Sequence, residues 1–253
     1  MQRILSSVRR AIDEYNLIED GDRIAVGVSG GKDSLVLLKA LAMYRRFAPQ
    51  HFELIALSID MHGNSTDFSQ ISELCKELNV EYHIVNSDIY QIVFEERKES
   101  NPCSLCAKLR RGMLNTNAIA FGCNKLALGH TADDVIHTFM LSLLYEGRLS
   151  SFLPKLYMDR TGMTVIRPLI LTEERDIKSV AKSLPVMASR CPVDKHTKRE
   201  YMADLIKHIQ QEIPFAKDRI FSAITHPERY NLFDKAYEKD PSWNNNNNTK
   251  KDQ

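Results

Sequence analysis

Val26-Gly-Val-Ser-Gly-Gly-Lys-Asp-Ser34 joins an apolar run, Ile24–Val28, to a helical pattern of apolar residues. That pattern follows without a break and consists of Leu35, Leu38, Leu41 and Ala42. A strand, a tight glycine turn and a helix N-terminus in this order offer backbone N–H groups to an anion. The segment therefore predicts a phosphate-binding loop.

The loop carries four kinds of group that suit a nucleotide and its metal ion. Two glycines allow positive φ and close approach by phosphate oxygens, and a lysine supplies a point charge. Two serines offer hydroxyls, and an aspartate offers a carboxylate that suits Mg²⁺. In chain order these residues are Ser29, Gly30, Gly31, Lys32, Asp33 and Ser34.

Two common nucleotide-binding patterns do not fit this loop. The NTPase pattern G-x-x-x-x-G-K-[ST] needs glycine where Val26 stands and a hydroxyl residue where Asp33 follows the lysine. The dinucleotide pattern G-x-G-x-x-G needs glycine at the position of Ser29. The loop instead resembles the Ser-Gly-Gly-x-Asp-Ser loop of the PP-loop ATPases, which cleave ATP between the α and β phosphates and adenylate a substrate.

The composition is that of an ordinary globular protein. Of the 253 residues, 43% are apolar and 26% are charged, and the formal net charge is only +1. These values fit one large domain and exclude the strongly basic field of many nucleic-acid binders. No apolar stretch reaches the roughly 20 residues of a membrane span, and arginines interrupt the N-terminal apolar pattern. We therefore expect a cytoplasmic protein that makes no membrane contact.

Extended apolar runs alternate with helical patterns over much of the chain. The predicted strands are Ile24–Val28, Leu54–Ile59, Tyr82–Val85, Leu126–Leu128 and Val165–Ile166. The predicted helices between them are Ser34–Arg46, Asp67–Leu78, Cys106–Phe121 and Ala132–Leu144. This alternation predicts an α/β fold, a Rossmann-like parallel sheet with helices on both faces, of the PP-loop ATPase or adenine nucleotide alpha hydrolase type.

The chain divides into four predicted parts. Residues 1–20 form an N-terminal helix, and residues 21–170 form the PP-loop ATP-binding domain. Residues 171–238 form a small helical C-terminal region, and the Asn-rich residues 239–253 are expected to be disordered. The predicted helices of the C-terminal region are Thr172–Leu184, Thr197–Ile213 and Phe215–Ala223.

Polar residues follow several of the predicted strands. The Ser-Gly-Gly loop follows the first strand, Ser58 and Asp60 stand at the end of the second, and His130 and Asp133 come just after a later one. Ligands of such folds bind at the carboxyl ends of the strands. We therefore expect one crevice to gather all three groups around the nucleotide.

The segment Gly129-His-Thr-Ala-Asp-Asp134 has two interpretations. A histidine beside two adjacent carboxylates suits Mg²⁺ binding or orientation of a group near the phosphates. Alternatively, Thr131 and Asp134 form a capping pattern, and acids in a first turn suit the helix dipole. Capping gives no reason for the Gly-His pair, so we assign the segment to the nucleotide site. The candidates here are Gly129, His130, Asp133 and Asp134.

The pair Cys103-Ser-Leu-Cys106 places two sulfurs within reach of one metal, and thiolates favour Zn²⁺ or an iron–sulfur cluster. A third cysteine, Cys191, lies in an irregular segment between predicted helices. Three thiolates can hold a [4Fe–4S] cluster, and His196 could instead complete a Cys₃His zinc site. The spacing leaves both open. The remaining cysteines fall in apolar helical patterns or at a helix end and are assigned to the core: Cys75 and Cys123.

Several strings, taken together, resemble the TtcA family of tRNA 2-thiocytidine synthetases. The resemblance runs from about Ile12 to about Arg229. After the Ser-Gly-Gly loop, the strings are Pro102-Cys-Ser-Leu-Cys-Ala-Lys-Leu-Arg-Arg111, Leu128-Gly-His-Thr-Ala-Asp-Asp134, Leu144-Tyr-Glu-Gly-Arg148 and Ile166-Arg-Pro-Leu-Ile170. In that family ATP activates the C2 carbonyl of a tRNA cytidine as an adenylate. Sulfur, delivered through a [4Fe–4S] cluster held by three cysteines, then replaces the activated oxygen.

The resemblance implies that Cys103, Cys106 and Cys191 hold the cluster. It also implies that Ser29–Ser34 bind the ATP phosphates, with Asp33 as a Mg²⁺ contact. Family members often carry a second cysteine near the third ligand, where this chain has Asp194. Lys32, Asp33 and the three cysteines are therefore the catalytic candidates.

The resemblance implies two kinds of partner. The substrate would be tRNA, with candidate phosphate contacts at Arg110, Arg111, Arg148, Lys155 and Arg167. A sulfur donor such as a cysteine desulfurase is also expected, and a homodimer is one candidate assembly. Two other functions are considered: sulfur transfer or removal on a small thiolated substrate, and non-catalytic ATP binding by a zinc protein.

Overall fold

The computed structural model describes residues 1–97, 102–188, 198–230 and 232. Its strands are β1 (Arg23–Gly27), β2 (Glu53–Asp60), β3 (Glu81–Asn86), β4 (Lys125–Ala127), β5 (Lys155–Met158) and β6 (Met163–Ile166). Its α-helices are α1 (Gln2–Tyr15), α2 (Lys32–Tyr44), α3 (Ser69–Glu77), α4 (Pro102–Ala120), α5 (Ala132–Leu141), α6 (Glu174–Ala181), α7 (Lys198–Glu212) and α8 (Ala216–Thr225). Two π-helical turns, Gln91–Glu96 and Ser142–Glu146, and a 3₁₀ turn, Pro227–Arg229, complete the assignment.

The six strands form one sheet in the order β3-β2-β1-β4-β6-β5. All neighbouring strands pair in parallel except β5 and β6, which are antiparallel. The order reverses beside β1, because the chain first builds outward through β2 and β3 and then returns to add β4. Ligands of doubly wound sheets bind at such a switch point. The loop after β1 therefore occupies the expected place.

Alternate residues of the central strands enter two different cores. On β1, Ile24 and Val26 belong to the larger core, which also contains buried residues of α1, α2, α3 and α6. Ala25 belongs to the smaller core on the opposite face, where Ala118 of α4 packs against Leu126 of β4. Successive side chains of a strand point to opposite faces of a sheet. The predicted α/β architecture with helices on both faces is thus confirmed.

One strand was not predicted. Strand β5 pairs along the sheet edge with β6, and Leu156 and Tyr157 in its centre are exposed. A strand with little buried surface lacks the strong apolar run that identified the others. The five predicted strands are all present, with bounds shifted by one or two residues.

The helical predictions hold with one difference of type. The apolar pattern that predicted one helix over Ala132–Leu144 forms α5 as far as Leu141 and then a π-helical turn, which ends at Gly147 with φ +62°. Helices α7 and α8 pack with α5, so the helical C-terminal region adjoins the sheet domain. The predicted division of the chain into four parts stays a prediction, and residues 239–253 lie outside those described. None of the described helices is long and apolar enough to cross a membrane.

A buried charge pair lies at the amino ends of the strands, opposite the switch point. Lys125 and Asp22 are each only 3% exposed, and their Nζ and Oδ2 atoms lie 2.7 Å apart. Lys125 also donates to the carbonyl of Leu17 at 3.1 Å. Asn124 donates to Asp22 at 2.7 Å. This network ties the chain after α1 to the first residue of β4.

We predict that Lys125→Ala destabilises the protein by about 3–5 kcal/mol, because Asp22 would remain buried without its partner. The free energy of unfolding from urea titration measures this loss. Lys207→Ala removes a lysine from an exposed pair with Asp204 and serves as the control. Little change is expected there, because solvent screens exposed pairs. Equal effects of the two variants would contradict the assigned role of Lys125.

Candidate functional site

The loop after β1 is held by its own side chains. The N–H of Ser29 donates to Oγ of Ser34 at 3.1 Å, and that hydroxyl donates to the carbonyl of Gly31 at 2.9 Å. Gly30 has φ +82°, the left-handed conformation that favours glycine. Gly31 has φ −74° and caps α2, so only the first of the two glycines adopts the positive φ that the sequence suggested. The loop therefore presents the free N–H groups of a helix N-terminus to the space above the sheet.

Ser58 supports this loop from β2. Its buried hydroxyl donates to the carbonyl of Val28 at 2.6 Å and accepts from the hydroxyl of Tyr82 at 2.9 Å. Asp60 is also buried and accepts from the N–H of His62 at 3.0 Å and the hydroxyl of Thr66 at 2.7 Å. These hydrogen bonds lower the pKa of Asp60, although its burial acts in the opposite direction. Neither Ser58 nor Asp60 lines the cavity described below. Their predicted contact with ATP therefore stays a prediction that their position does not support.

Lys32 and Asp33 begin α2 and form an ion pair. Nζ of Lys32 lies 2.9 Å from Asp33 and 3.0 Å from Glu174 of α6. Burial raises the pKa of Asp33, and the neighbouring carboxylates of Asp134 and Glu174 raise it further, against the lowering effect of Lys32. A metal cation in addition to Lys32 would further offset this crowding of negative charge. The arrangement suits the Mg²⁺ contact suggested for Asp33.

The Gly129–Asp134 segment packs directly on the start of α2. A Cβ atom on Gly129 would lie 3.1 Å from the carbonyl carbon and oxygen of Asp33 and 3.2 Å from the backbone nitrogen of Ser34. Such distances are too short for comfortable packing against backbone atoms. Glycine at position 129 is therefore what allows the two loops to meet.

The two aspartates of this segment have different surroundings. Asp134 caps α5: its Oδ2 accepts from the N–H of Thr131 at 2.9 Å, and its Oδ1 pairs with Arg199 at 3.2 Å. Asp133 turns the other way, where Oδ2 accepts from the N–H of Glu174 at 2.8 Å and Oδ1 pairs with Lys217 at 2.6 Å. Both oxygens of Asp133 thus hold helices together.

His130 is stacked and hydrogen-bonded at the base of the site. Its ring lies 4.4 Å from that of Phe152, and Nε of Arg167 donates to its Nδ1 at 3.3 Å. Arg167 is buried, lies over Phe152 and donates to the carbonyl of Leu153 at 2.6 Å. A nitrogen that accepts carries no proton, so this contact selects the tautomer with a proton on Nε2. Among the described residues Nε2 has no partner, and His130 lines the cavity.

The loops enclose a cavity of about 450 Å³. One wall comes from the loop after β1, with Ser29, Gly31, Asp33 and Ser34, and another from Gly129, His130 and Asp134. The remaining walls are apolar or basic, and their residues include Ile59, Met61, Leu114, Leu128, Arg110, Arg111 and Arg199. Asp133 lies instead in an adjoining cavity of about 280 Å³, whose lining also includes Lys32, Glu174 and His137. The structure therefore gathers most, but not all, of the predicted nucleotide residues around one space.

Helix α4 brings the cysteine pair near the same cavity, although neither cysteine lines it. Cys103 lies in its first turn and Cys106 at the start of its second, three residues apart and so on the same side of the helix. Cys103 is exposed, and Sγ of the partly buried Cys106 lies 3.8 Å from Sδ of Met61, which lines the cavity. Cys191 and His196 lie outside the described residues. Among the described residues no group of three potential ligands forms a metal site, so the choice between cluster and zinc rests on other grounds.

Cys75 and Cys123 are buried, as the sequence predicted. Cys75 is in the larger core, where burial raises its pKa to about 12, and Cys123 is in the smaller one. Neither thiol lines the cavity.

Two suggested RNA contacts are already engaged within the fold. Nζ of Lys155 donates to the carbonyl of Asn16 at 2.7 Å and to Glu19 at 3.1 Å, and Arg167 is buried against His130. Arg110, Arg111 and Arg148 form no ion pair with a described residue. These three arginines are the suggested contacts that remain available to a polyanion.

Some residues that build the site carry no local sequence signal. Arg199 of α7 reaches the cavity and pairs with Asp134, while Glu174 and Lys217 hold Lys32 and Asp133. The positions of these three residues depend on how helices that are distant in sequence pack against one another, and no short sequence motif predicts such packing. The backbone N–H of Met187 likewise donates to the carbonyl of Gly30 at 3.0 Å.

Comparisons with known proteins agree with this geometry. A family model described as a PP-loop domain matches residues 3–187. The tRNA-cytidine(32) 2-sulfurtransferase of Geobacter metallireducens is 39% identical over 243 residues, which are 94% of this chain and 95% of the relative. The chain belongs to the PP-loop family and, within it, to the tRNA-cytidine(32) 2-sulfurtransferases. Its predicted family is thereby confirmed.

Other relatives in this family carry the same name. That of Geotalea daltonii is 41% identical over 239 residues, which cover 92% of this chain and 95% of the relative. Among solved structures, the U34-tRNA thiolase NcsA from Methanococcus maripaludis with its [4Fe-4S] cluster matches with a TM-score of 0.74 at 27% identity. The match covers 92% of this chain and 82% of that chain.

We predict that Gly129→Ala weakens ATP binding by roughly tenfold or more, because the added methyl group would press on the backbone that forms the N-terminus of α2. Isothermal titration calorimetry measures the ATP affinity. Gly112→Ala is the matched control, because a Cβ at that exposed position of α4 meets nothing within 4 Å. Unchanged ATP affinity in Gly129→Ala would show that nucleotide binding does not depend on this contact.

We also predict that His130 makes the protein less stable in acid. Burial, together with the charge of Arg167, lowers the pKa of His130 from 6.5 to about 4, with Asp134 opposing. The unfolded chain therefore binds a proton at pH values where the folded chain does not, and stability falls as the pH drops from 6.5 toward 4. His130→Gln removes this contribution, so its urea midpoint should fall less over that range than the wild type's.

His208→Gln, which changes an exposed histidine of α7, should retain the wild-type dependence on pH. If His130→Gln and the wild type lose stability equally on acidification, His130 is not held neutral in the folded protein.

Proposed function

We propose that the protein replaces the C2 oxygen of a tRNA cytidine with sulfur, using ATP to activate the base and an iron–sulfur cluster to handle the sulfur. The relatives' names and the cluster-bearing thiolase neighbour support this assignment. The observation that carries it is the course of α4, which bears Cys103 and Cys106 near its start and Arg110, Arg111 and Leu114 on the cavity wall. Cys106 lies 3.8 Å from Met61, which lines the cavity, so the proposed sulfur ligands stand close to the nucleotide loop.

The phosphate side of the cavity suits activation of a carbonyl oxygen. The free N–H groups at the start of α2 and the charge of Lys32 would hold the β and γ phosphates. The base oxygen attacks the α phosphate, the bond from the α phosphate to the bridging oxygen breaks, and pyrophosphate leaves. Sulfur then attacks C2, and the former carbonyl oxygen leaves as part of AMP. A carbonyl oxygen is a poor leaving group until it becomes part of AMP, which is why the phosphate and sulfur sites must meet.

The opposite side suits a nucleobase. Ile59, Leu114 and Leu128 offer apolar walls for the base faces, and Arg110 and Arg111 offer charge for its phosphates. His130 contributes a neutral N–H donor from Nε2, because Arg167 occupies its other nitrogen. A neutral donor can orient an oxygen atom of the base or of the α phosphate without losing a proton to it.

The cysteines provide soft donors of the type that a cluster needs. Cys103 and Cys106 are free of disulfides and lie at a helix N-terminus, whose dipole favours negatively charged sulfur. We assign Cys191 as the third ligand, in line with the family resemblance. When bound there, a [4Fe–4S] cluster with three protein ligands would supply an iron coordination site for sulfide. The protein's part is to keep this site beside the base.

We assign Mg²⁺ to Asp33 and Asp134, whose carboxylates both line the cavity. Mg²⁺ usually takes one or two carboxylates together with substrate phosphates and water. Asp133 is a weaker candidate, because it lines only the adjoining cavity and not the one that the loop after β1 borders. Ser58 and Asp60 act in this proposal by shaping the loops rather than by contact with ATP.

The proposed reaction also requires partners. A tRNA substrate would place the protein in the cytoplasm. A sulfur donor such as a cysteine desulfurase would supply sulfur as a persulfide, and a two-electron reductant such as a thiol would release it as sulfide. A homodimer stays a prediction. Among the described residues, the free arginines of the cavity suit the RNA backbone better than they suit a small uncharged substrate.

The test compares Cys103→Ser with Cys123→Ala in protein purified without oxygen. We expect about four iron and four acid-labile sulfide per chain in the wild type and in Cys123→Ala, and neither in Cys103→Ser. Cys103→Ser should still bind ATP, because the PP loop is intact. In a deletion strain it should fail to restore 2-thiocytidine in tRNA.

Two results would overturn the proposal. One zinc per chain without iron would mark a closed structural site. Normal 2-thiocytidine levels in the Cys103→Ser strain would show that thiolation proceeds without this ligand.

A further inference from the structure

The π-helical turn Ser142–Glu146 and the residues after it expose large apolar side chains at the opposite end of α5 from the cavity. Leu144 is 55% exposed and Tyr145 is 52% exposed, and Leu143 and Leu149 are exposed as well. A contiguous patch of exposed apolar side chains indicates a binding site for another molecule, because covering such a patch removes apolar surface from water, which is favourable. No element among the described residues covers these side chains.

One cation lies over the exposed ring, and another follows in sequence. Nζ of Lys198 lies 4.4 Å from the centroid of the Tyr145 ring, and Arg148 comes directly after Gly147, which ends the turn. Within the described part of the chain neither cation pairs with a carboxylate. The one acid of the turn, Glu146, accepts a hydrogen bond from Ser142 at 3.3 Å. We call Leu144, Tyr145, Arg148 and Lys198 the Tyr145 platform.

The Tyr145 platform adjoins the cavity through α7. Lys198 precedes Arg199, which lines the cavity and pairs with Asp134 at 3.2 Å. Arg110 and Arg111 line the same cavity from α4. A chain of phosphates that ran from the cavity to the platform would therefore meet cations throughout.

The chemistry of these side chains favours single-stranded nucleic acid. A base in an RNA loop must leave its stack to enter an enclosed site, and the bases that remain lose a neighbour. Aromatic rings stack on bases of any identity, and a cation near the ring strengthens such contacts. An apolar surface for a second copy of this chain would need no unpaired cations at its centre.

We propose that the Tyr145 platform stacks a base of the tRNA loop adjacent to the cytidine that enters the cavity. This inference rests on the proposed tRNA substrate and names where the chain grips it. Tyr145 and Leu144 replace the lost stack, and Arg148 and Lys198 contact the flanking phosphates. The turn thus selects a base that is presented in a single-stranded loop rather than in a duplex.

The test measures binding of an anticodon stem-loop RNA to the cluster-loaded protein with ATP, by fluorescence anisotropy at one moderate salt concentration. Tyr145→Ala should weaken binding roughly tenfold or more, and Tyr145→Phe should retain it, because the ring supplies the stacking. Unchanged ATP affinity shows that the variants are folded.

Tyr157→Ala is the matched control. Tyr157 is 60% exposed, which is comparable to Tyr145. It pairs with Thr164 of β6, and Thr164 pairs with Lys125, the first residue of β4. Tyr157 therefore lies toward the amino ends of the parallel strands, away from the cavity. RNA affinity should be unchanged by its removal. Sedimentation velocity experiments measure the oligomeric state of the wild type and of each variant.

The outcomes separate this inference from the function on which it rests. RNA binding that is equally strong in the wild type and Tyr145→Ala overturns the inference and leaves the proposed function standing. Conversion of a wild-type dimer to a monomer by Tyr145→Ala, with RNA affinity retained, also overturns it and assigns the surface to a second copy. A wild type that binds no RNA overturns the proposed function and the inference together.

Discussion

Contact between two backbone segments at the switch point of the sheet determines where everything else in the site can lie. Gly129 packs on the carbonyl group of Asp33 and the N–H of Ser34 with no room for a side chain. This approach brings the end of β4 against the start of α2, so that the anion-binding N–H groups and His130 face the same cavity. Helix α4, which precedes β4, then lines the cavity with Arg110 and Arg111 and brings Cys106 within 3.8 Å of Met61. The proposed sulfur ligands and the anion-binding loop are near each other because of backbone packing, not because their side chains attract one another.

Local patterns were enough to predict the elements and the loop, but not the pairs between distant elements. The strand–loop–helix pattern around Ser29–Ser34 located the anion site because its signal is contained in a few consecutive residues. The role of Asp133 could not be predicted from its neighbours in sequence. A carboxylate in a first turn looks the same whether it faces a metal ion or, as here, Lys217 of a helix more than eighty residues away. Strand β5 was missed for a related reason, since its stability comes from pairing with β6 rather than from its own apolar residues.

Charge pairing distinguishes the parts of the surface. Asp133, Asp134 and Glu174 are all engaged with cations from other helices, which fixes the helical C-terminal region to the phosphate side of the cavity. On the opposite side, Arg110 and Arg111 have no carboxylate partner in the described chain. The net charge of +1 does not reveal this difference, because it sums the paired charges of the helices with the unpaired arginines beside the cavity. A nearly neutral protein can therefore present a surface that attracts a polyanion.

The pairing of His130 with Arg167 has a consequence for the electrostatics of the cavity. Burial lowers the pKa of His130 to about 4 and that of Arg167 to about 10. At neutral pH the histidine is therefore held uncharged and the guanidinium charged, so the pair contributes one fixed positive charge at the base of the site.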